Sequence, residues 1–440
     1  MRALGAFVIA LGACYHGSSE LPACSVRCEE GCPDGTHCVD GYCTGGTSCG
    51  SGSAGSDAGP TCGGIGEACC ATGTACESNG YCVAGTCEAG CITDVMFGRR
   101  HACMLRHDGT VWCAGQDDSG QLGDGKSTDS ATFVQATDSS GPITDAIAVG
   151  GGYYTTCAVR TGGTVWCWGA GSSGELGNNA STTSSTAVQV VTASGPLTGI
   201  VEVDGGHGHE CARDAAGAVW CWGRNDGGQL GDNTTTNRPY AAQVAGIPGA
   251  TRVSTGIDHT CAVIGGAHVM CWGFSYYGEI GDGAGTTRLA PVAVTDAADV
   301  SAGGWTSCAL HADGTVSCWG RGMQGRLGNG SDAEVDTPKP AMISGVASIA
   351  VGGVSCAVTT DHRLMCWGVN PHGQVGNGAG SLVPVEILTG IDKVYAHYAH
   401  VCAHGVDGSL ACWGRNSEGE LGDGKRVDLG SPEPIVSICP

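Results

Sequence analysis

A pair of cysteines ten residues apart recurs seven times along this chain of 440 residues. Successive first cysteines are 54, 54, 50, 47, 48 and 46 residues apart. A period near 50 residues, built of short β-type segments and glycine turns, predicts a propeller or solenoid rather than one two-layer domain. Seven units suit a closed ring. The pairs are Cys103 with Cys113, Cys157 with Cys167, Cys211 with Cys221, Cys261 with Cys271, Cys308 with Cys318, Cys356 with Cys366, and Cys402 with Cys412.

A short glycine motif follows each second cysteine. Six of these cysteines begin Cys-Trp-Gly, and the exception has Ala114 in place of tryptophan. A Gly-x-Leu-Gly-like turn comes next in every repeat, as at Gly120-Gln121-Leu122-Gly123 and Gly325-Arg326-Leu327-Gly328. Glycine supplies the positive φ that tight turns need, whereas tryptophan and the aliphatic residues pack one blade against the next.

These turns, an upstream Gly-x-x-His and an Asp-Gly hairpin (Asp108-Gly109) resemble the regulator of chromosome condensation repeat family. The resemblance covers residues 92–440. It implies an all-β fold, a seven-bladed β-propeller of four-stranded blades around a central channel. A small disulfide-rich region precedes it in the chain.

Cysteine usage indicates an oxidising compartment, because 29 cysteines are too many for a reducing cytosol unless they bind metal. Within each repeat a turn places the two cysteines opposite each other on antiparallel strands, so we expect seven cross-strand disulfides. Free thiols and zinc ligation are the alternatives. Cys91 and Cys439 fall on neighbouring positions of the repeat template. This register predicts that strand 434–438 completes the first blade and that a Cys91–Cys439 disulfide locks the ring.

The N-terminus resembles a bacterial lipoprotein signal, since an apolar stretch ends in Leu11-Gly12-Ala13-Cys14. The resemblance implies cleavage after residues 1–13, lipidation of Cys14 and an extracytoplasmic protein anchored to the cell envelope. In the best-known lipoprotein systems an Asp directly after the lipidated cysteine retains the protein at the inner membrane. Because Tyr15 stands at that position here, we expect the protein at the outer membrane. Ordinary secretion is the alternative.

Residues 14–91 are predicted to form a cysteine-rich stalk. Modules 24–49 and 62–87 hold six cysteines each, and a Gly/Ser-rich linker, 50–61, separates them. Such modules are too poor in aromatic residues to build a core and depend on disulfides, whose pairing the sequence leaves open. The stalk is a spacer or, alternatively, a ligand-binding module.

Charge and motifs exclude several classes of function. The net charge of −22 excludes a nucleic-acid-binding surface. Because the chain has no Ser/His/Asp arrangement, phosphate loop or metalloprotease motif, we expect no catalytic site, no cofactor and no metal. The family resemblance also suggests guanine-nucleotide exchange, which we reject for an exported, acidic chain with no repeat interval above 54 residues.

Histidines recur two residues before the first cysteine of four repeats. A structural role, hydrogen-bonding between blades, is expected, with metal binding or acid–base chemistry as the alternative. Thr155, Thr306 and Val354 take this position in three other repeats. The histidines are His101, His209, His259 and His400.

Aromatic residues in inter-strand turns are the candidate binding residues, because rigid aromatic side chains dominate binding surfaces. We expect a monomeric, non-catalytic protein that recognises an unidentified protein or envelope glycan through loops on one face. A polysaccharide lyase or hydrolase and a structural envelope protein are the alternatives. The candidates are Tyr153, Tyr154, Tyr276, Tyr277, Trp305, Tyr395 and Tyr398.

Overall fold

The computed structural model describes residues 91–435 with their side chains, and the backbone of five short strands nearer the N-terminus. The chain divides into two compact units, Met1–Cys91 with Cys439–Pro440, and Ile92–Ile438. No stretch of the described residues makes a helix long and apolar enough to cross a bilayer. The predicted signal, Cys14, linker 50–61 and most of both cysteine modules lie outside the described residues.

The first unit contains a three-stranded antiparallel sheet, ordered β1-β3-β2, and a separate hairpin, β4-β5. Its strands are β1 (Val26–Arg27), β2 (His37–Val39), β3 (Tyr42–Thr44), β4 (Tyr81–Val83) and β5 (Thr86–Glu88).

The second unit consists of seven antiparallel sheets, each built from four consecutive strands, which confirms the predicted all-β, seven-bladed propeller. Small hairpins extend the second and third blades to six strands. One 3₁₀ turn, Met323–Gly325, lies in the fifth blade. The strands are β6 (Ile92–Phe97), β7 (His101–Arg106), β8 (Val111–Gly115), β9 (Ser130–Gln135), β10 (Thr137–Asp138), β11 (Gly141–Pro142), β12 (Ala146–Gly150), β13 (Thr155–Arg160), β14 (Thr164–Gly169), β15 (Ser184–Gln189), β16 (Val191–Thr192), β17 (Gly195–Pro196), β18 (Ile200–Gly205), β19 (His209–Asp214), β20 (Val219–Gly223), β21 (Arg238–Gln243), β22 (Arg252–Thr255), β23 (His259–Ile264), β24 (His268–Gly273), β25 (Arg288–Asp296), β26 (Asp299–Gly303), β27 (Thr306–Leu310), β28 (Val316–Gly320), β29 (Val335–Pro340), β30 (Val346–Val351), β31 (Val354–Thr359), β32 (Arg363–Gly368), β33 (Ser381–Thr389), β34 (Ile391–His397), β35 (His400–Gly405), β36 (Leu410–Gly414) and β37 (Leu429–Pro434).

Each blade has its two cysteines directly opposite each other on its second and third strands, as in the pair Cys103↔Cys113. The Cα atoms of this pair lie 4.1 Å apart. This separation fits the narrow, non-hydrogen-bonded site of an antiparallel ladder, about 4.5 Å, with slight closure.

All seven cysteine pairs are disulfide-bonded, in agreement with the prediction, and all fourteen cysteines are buried. The two alternatives, free thiols and zinc ligation, are therefore wrong for these residues. The bonds join Cys103 to Cys113, Cys157 to Cys167, Cys211 to Cys221, Cys261 to Cys271, Cys308 to Cys318, Cys356 to Cys366, and Cys402 to Cys412.

The tryptophan of each Cys-Trp-Gly motif packs between its own blade and the preceding one. Trp272 is fully buried, and its indole N–H donates to the backbone carbonyl of Gln229, 2.9 Å away in the turn of the preceding blade. Gly231, with φ 68°, closes that turn, and a Cβ there would lie 2.7 Å from the indole nitrogen. The last glycine of the turn is therefore required both by its φ and by the ring that covers it.

The first blade lacks this tryptophan, and Phe133 from its fourth strand fills the same space. Gly422, in the turn of the seventh blade, packs against the Phe133 ring as Gly231 packs against Trp272. Nearby, the Gly424 amide donates to the Ala131 carbonyl, 2.9 Å away. The seventh blade thus contacts the first through the same turn that joins every other pair of neighbouring blades.

Of the predicted closing strand 434–438, only residues 434 and 435 are among the described residues. Pro434 pairs with Ala411 in the seventh blade, and Ser130–Gln135 already supplies the fourth strand of the first blade. Within the described residues each blade takes four strands from its own repeat, and the turn of the seventh blade joins the two ends through Phe133 and the Gly424–Ala131 hydrogen bond. Cys91 is disulfide-bonded. Because Cys439 lies outside the described residues, the Cys91–Cys439 pairing stays a prediction.

Candidate binding site at one end of the channel

The first strands of the blades line a central cavity of about 400 Å³. Opposite charges pair along its wall, where Lys393 lies 3.2 Å from Asp94 and Arg252 lies 3.0 Å from Glu202. Tyr395 stands on this wall, with the Lys393 ammonium 4.4 Å from its ring centroid, and burial raises its pKa to about 12. The structure therefore places Tyr395 inside the channel, apart from the other candidate binding residues.

The loops that follow the first strands of blades one to five are hydrogen-bonded to one another at one end of the channel. The Arg99 amide donates to the Tyr153 carbonyl (3.1 Å), and the Tyr153 amide donates to the Gly206 carbonyl (3.0 Å). The Ile257 amide likewise donates to the Gly304 carbonyl (2.9 Å). Neighbouring blades thus fix one another's loops, which gives a rigid platform for the side chains on this end.

One group of aromatic residues on this end contains Tyr153, Tyr154 and Tyr398. The Tyr153 ring lies 6.3 Å from Tyr154 and 5.6 Å from Tyr398, both edge-on. Arg99 donates to the Tyr154 hydroxyl (2.6 Å), and its guanidinium lies 5.9 Å from the Tyr398 ring centroid. His207 packs against Tyr153 with 5.0 Å between ring centroids. Burial raises the pKa of Tyr153 well above its usual range.

A second group contains Tyr276, Tyr277 and Trp305. Tyr276 is 71% exposed, and its ring lies 4.8 Å from that of Tyr277. The Arg321 guanidinium lies 4.8 Å from the ring centroids of both Tyr277 and Trp305, between the two rings. The Arg326 guanidinium is 5.8 Å from the Trp305 ring centroid.

Six of the seven candidate aromatics therefore lie at one end of the ring, and we name these six, with Arg99, Arg321 and Arg326, the mouth cluster. Arg326 lies near both groups, because its guanidinium is 5.8 Å from the Trp305 ring centroid and Tyr153 and Tyr398 both influence its pKa. Sequence reasoning missed the three arginines. One signal was present: Arg326 occupies a turn position where the other six repeats have Gln or Glu.

Three of the recurring histidines hydrogen-bond a hydroxyl of the next blade, and His259 does so to Ser307 at 2.8 Å. His400 instead stacks on Phe97 of the first blade, with 5.4 Å between ring centroids. His101 Nε2 lies 2.9 Å from the Thr156 hydroxyl of the next blade, and that hydroxyl donates to the Gln121 carbonyl, so the histidine is the donor. His209 with Thr260 (3.0 Å) repeats the arrangement. Burial lowers the pKa of His101 and of His209 to about 3. The geometry agrees with the expected structural role, although the acceptor is a hydroxyl rather than the backbone.

Where the histidine is replaced, its partner in the next blade changes with it. Thr155 donates to the Glu210 carboxyl, which is buried and has a pKa raised well above its usual range by that burial. Val354 takes the histidine position in the sixth blade and shares a buried apolar cluster with Val401 of the seventh blade. Val401 occupies the repeat position that Thr156 occupies in the second blade. Within the described residues, no group of three or more His, Cys, Asp or Glu side chains is placed to hold a metal ion.

Glu279 gives a pH-dependent prediction. Its carboxylate accepts the Tyr277 amide (2.8 Å) inside the fourth turn, and burial raises its pKa from 4.5 to about 7. Between these values the folded state keeps a proton that the unfolded chain releases, so stability falls as pH rises from 4.5 to 7. Gln, present at the same position as Gln229, makes the same bond without titrating. We expect Glu279→Gln to match the wild type near pH 4.5 and to be about 2–3 kcal/mol more stable above pH 7.5. Urea unfolding at both pH values measures this, and parallel pH profiles would contradict it.

Comparisons with known proteins agree with the repeat pattern. One model of the regulator of chromosome condensation (RCC1) repeat matches residues 216–263 and 313–359, and a second matches 92–121, 146–175 and 297–325. The human E3 ubiquitin-protein ligase HERC2 is 29% identical over 158 residues, which are 36% of this chain and 3% of HERC2. The rat probable E3 ubiquitin-protein ligase HERC4 is 30% identical over 198 residues, 33% of this chain and 18% of HERC4. The chain thus spans less than a fifth of these relatives.

Solved structures show the same fold. Human WBSCR16 superimposes with a TM-score of 0.65 at 20% identity, covering 74% of this chain and 93% of its own. Prp20p from Saccharomyces cerevisiae superimposes with a TM-score of 0.65 at 21% identity, covering 76% and 87%. This chain therefore contains regulator of chromosome condensation repeats, and its fold is a seven-bladed β-propeller.

Proposed function

We propose that the protein is a non-catalytic, extracytoplasmic binding or scaffold protein, attached to the cell envelope through Cys14, that binds its partner with the mouth cluster. The partner is a protein or an envelope glycan. The observation that carries this proposal is the gathering of six aromatic side chains at one end of a rigid ring. A repeat fold has seven equivalent sets of loops, yet Tyr153, Tyr154, Tyr276, Tyr277, Trp305 and Tyr398 come from only four of them.

Chemistry at the mouth supports binding better than catalysis. Its aromatic rings stack with arginines, and the buried histidines of the neighbouring seams, such as His101 and His209, already hydrogen-bond the next blade. Ubiquitin ligation by HERC2 and HERC4 is not carried over, since the match covers 3% and 18% of those proteins. Likewise, the fold shared with Prp20p at 21% identity transfers no partner.

A capture experiment tests the role of the mouth cluster. Tagged protein, added to solubilised cell envelopes, is compared with a variant in which Tyr276, Tyr277 and Trp305 are alanine. We expect one saturable partner that the variant captures at least tenfold less, because central aromatic residues carry most of the binding energy of an interface. In a control variant Val406 and Met342, two exposed apolar residues outside the cluster, are replaced by alanine. This variant should bind as the wild type does. Equal capture by all three proteins would contradict the proposal.

The two alternatives make different predictions in the same experiment. A lyase or hydrolase releases sugar products from the envelope fraction, and a structural envelope protein shows no saturable binding. Attachment is tested separately by mass spectrometry of the mature N-terminus, where we expect a diacylglycerol on Cys14. An unmodified Cys14 thiol would contradict the lipid anchor and favour secretion.

A further inference from the structure

We infer that Arg321 and Arg326, with Trp305 and Tyr277, form an anion-binding subsite that takes the carboxylate of an acidic sugar, such as a uronic acid. This inference rests on the proposed function, since it names the class of ligand that the mouth cluster recognises. Three independent observations carry it: the departure of the fifth turn from the repeat pattern, the unpartnered donors at the mouth, and the distribution of ion pairs.

The fifth turn gives up a structural hydrogen bond to place an arginine at the mouth. In the other six turns a Gln or Glu side chain at this position accepts the backbone amide two residues earlier, as Gln121 does from Ser119 (2.8 Å) and Gln374 from His372 (3.0 Å). An arginine has no acceptor and does not replace this bond. Gln324, two residues before Arg326, instead adopts φ 61°, in the left-handed region. Local departures of this kind, which weaken the turn, are typical of functional positions.

Several guanidinium N–H groups at the mouth have no acceptor among the described residues, although Arg99 also donates to the Tyr154 hydroxyl through Nη1. Arg326 is only 9% exposed, and its Nε and Nη1 atoms are buried without a hydrogen-bond partner. Arg321 Nε and Arg99 Nε are in the same condition. Burial, together with nearby Arg321, lowers the pKa of Arg326 to about 10, so the charge is present at neutral pH but uncompensated. An incoming anion would satisfy these donors.

Ion pairing elsewhere in the propeller makes these arginines exceptional. The chain carries 42 Asp and Glu against 20 Lys and Arg, so carboxylates are abundant. Fourteen of the described Lys and Arg side chains form an ion pair with an Asp or Glu. The four described side chains that do not are Arg99, Arg321, Arg326 and Lys339. Three of the four therefore lie in the mouth cluster.

The surroundings favour a sugar carboxylate over a peptide or a polyanion. Arg321 lies against the rings of Tyr277 and Trp305, and Arg326 lies near Trp305, so guanidinium groups and flat apolar rings stand side by side. A pyranose that carries a carboxylate presents the matching pair of surfaces, a C–H face and an anion. The backbone amides of Arg99, Tyr153 and Ile257 already donate to the neighbouring loop, so they are not free to pair with a peptide strand. A net charge of −22 repels dense polyanions at long range.

Calorimetric titration of the full-length protein tests the inference. The probes are trigalacturonate and triglucuronate, their fully methyl-esterified forms, and hexaglutamate as an acidic peptide. We expect at least one uronate to bind at least tenfold more tightly than its ester and than hexaglutamate. Arg326→Gln should weaken this binding at least tenfold without lowering the melting temperature, because Gln restores the turn hydrogen bond of the other blades. Arg321→Gln should also weaken it, and Lys339→Gln, the matched control in the same blade, should not.

Each other outcome overturns the inference. Equal binding of acid and ester removes the role of the carboxylate, and tighter binding of hexaglutamate assigns the site to acidic peptides. Unchanged uronate binding by Arg326→Gln, or a melting temperature well below that of the wild type, removes the role assigned to Arg326. If neither uronate binds but the variant with Tyr276, Tyr277 and Trp305 replaced by alanine still loses its envelope partner, the inference alone is refuted. If no variant loses either the uronate or the envelope partner, the proposed function is refuted as well.

Discussion

Replacing Trp272 with alanine is expected to lower the free energy of unfolding by about 3–5 kcal/mol, the usual effect of removing a large buried aromatic side chain. Trp272 is fully buried between the third and fourth blades, and its indole N–H satisfies the Gln229 carbonyl at 2.9 Å. Alanine would leave both a cavity in the seam and a carbonyl with one donor fewer. Urea unfolding followed by tryptophan fluorescence and circular dichroism measures the change.

Trp220 supplies the matched control. It precedes Cys221 on the third strand of its blade, is only half-buried, and its indole nitrogen reaches Asp214 at 3.5 Å within the same blade. Because Trp220→Ala removes less buried surface and no contact of this kind across the seam, we expect a loss of about 1–2 kcal/mol. If Trp272→Ala were no more destabilising than Trp220→Ala, the seam would not depend on the indole, and this account of blade packing would be wrong.

Removing one cross-strand disulfide is expected to destabilise the protein by about 3 kcal/mol, the chain-entropy value for a loop of this size. The double replacement Cys261→Ala with Cys271→Ala deletes a fully buried bond in the fourth blade and leaves the other six in place. The denaturant midpoint should fall accordingly. Full reduction removes seven such cross-links, which together exceed the roughly 5–15 kcal/mol of net stability of a typical domain, so we expect unfolding.

Accessibility distinguishes this account from one in which the disulfides are incidental. Because all fourteen blade cysteines are buried, a reductant should act slowly on the native protein and quickly once denaturant opens the blades. An unchanged midpoint in the double variant that lacks Cys261 and Cys271, or a reduced protein that keeps its circular dichroism spectrum and melting temperature, would contradict the predicted contribution.

The fold could be predicted from the sequence because a local rule is repeated seven times. Each cysteine pair, such as Cys103 with Cys113, fixes the register of two strands, and each Gly-x-Leu-Gly turn fixes the contact with the next blade. Phe133 was not predictable in this way, since it fills the place of the missing tryptophan from a different strand. Strand 434–438 was assigned to the first blade from an alignment with the repeat template. That alignment does not show that Ser130–Gln135 supplies the fourth strand of the first blade.

The candidate site was predictable only in part. Tyrosines and tryptophan near turns are visible in the sequence. Whether such a residue lies at the mouth or along the channel depends on where its strand ends, and Tyr395 lies inside strand β34 and therefore on the channel wall. Arg326 was visible only as an unusual letter in a turn. Only the structure shows that the six equivalent Gln and Glu side chains accept a hydrogen bond from the backbone, which an arginine cannot do.

Hydrogen–deuterium exchange of the protein, with and without its captured envelope partner or a bound uronate, tests the central claim most directly. The account predicts slower exchange at the mouth loops, 98–100, 151–154, 274–277, 304–305, 321–326 and 398–399. The hairpin turns at the opposite end, such as 107–110 and 265–267, serve as the internal control and should not change. Protection confined to those opposite turns, or spread evenly over all seven blades, would contradict binding at the mouth cluster.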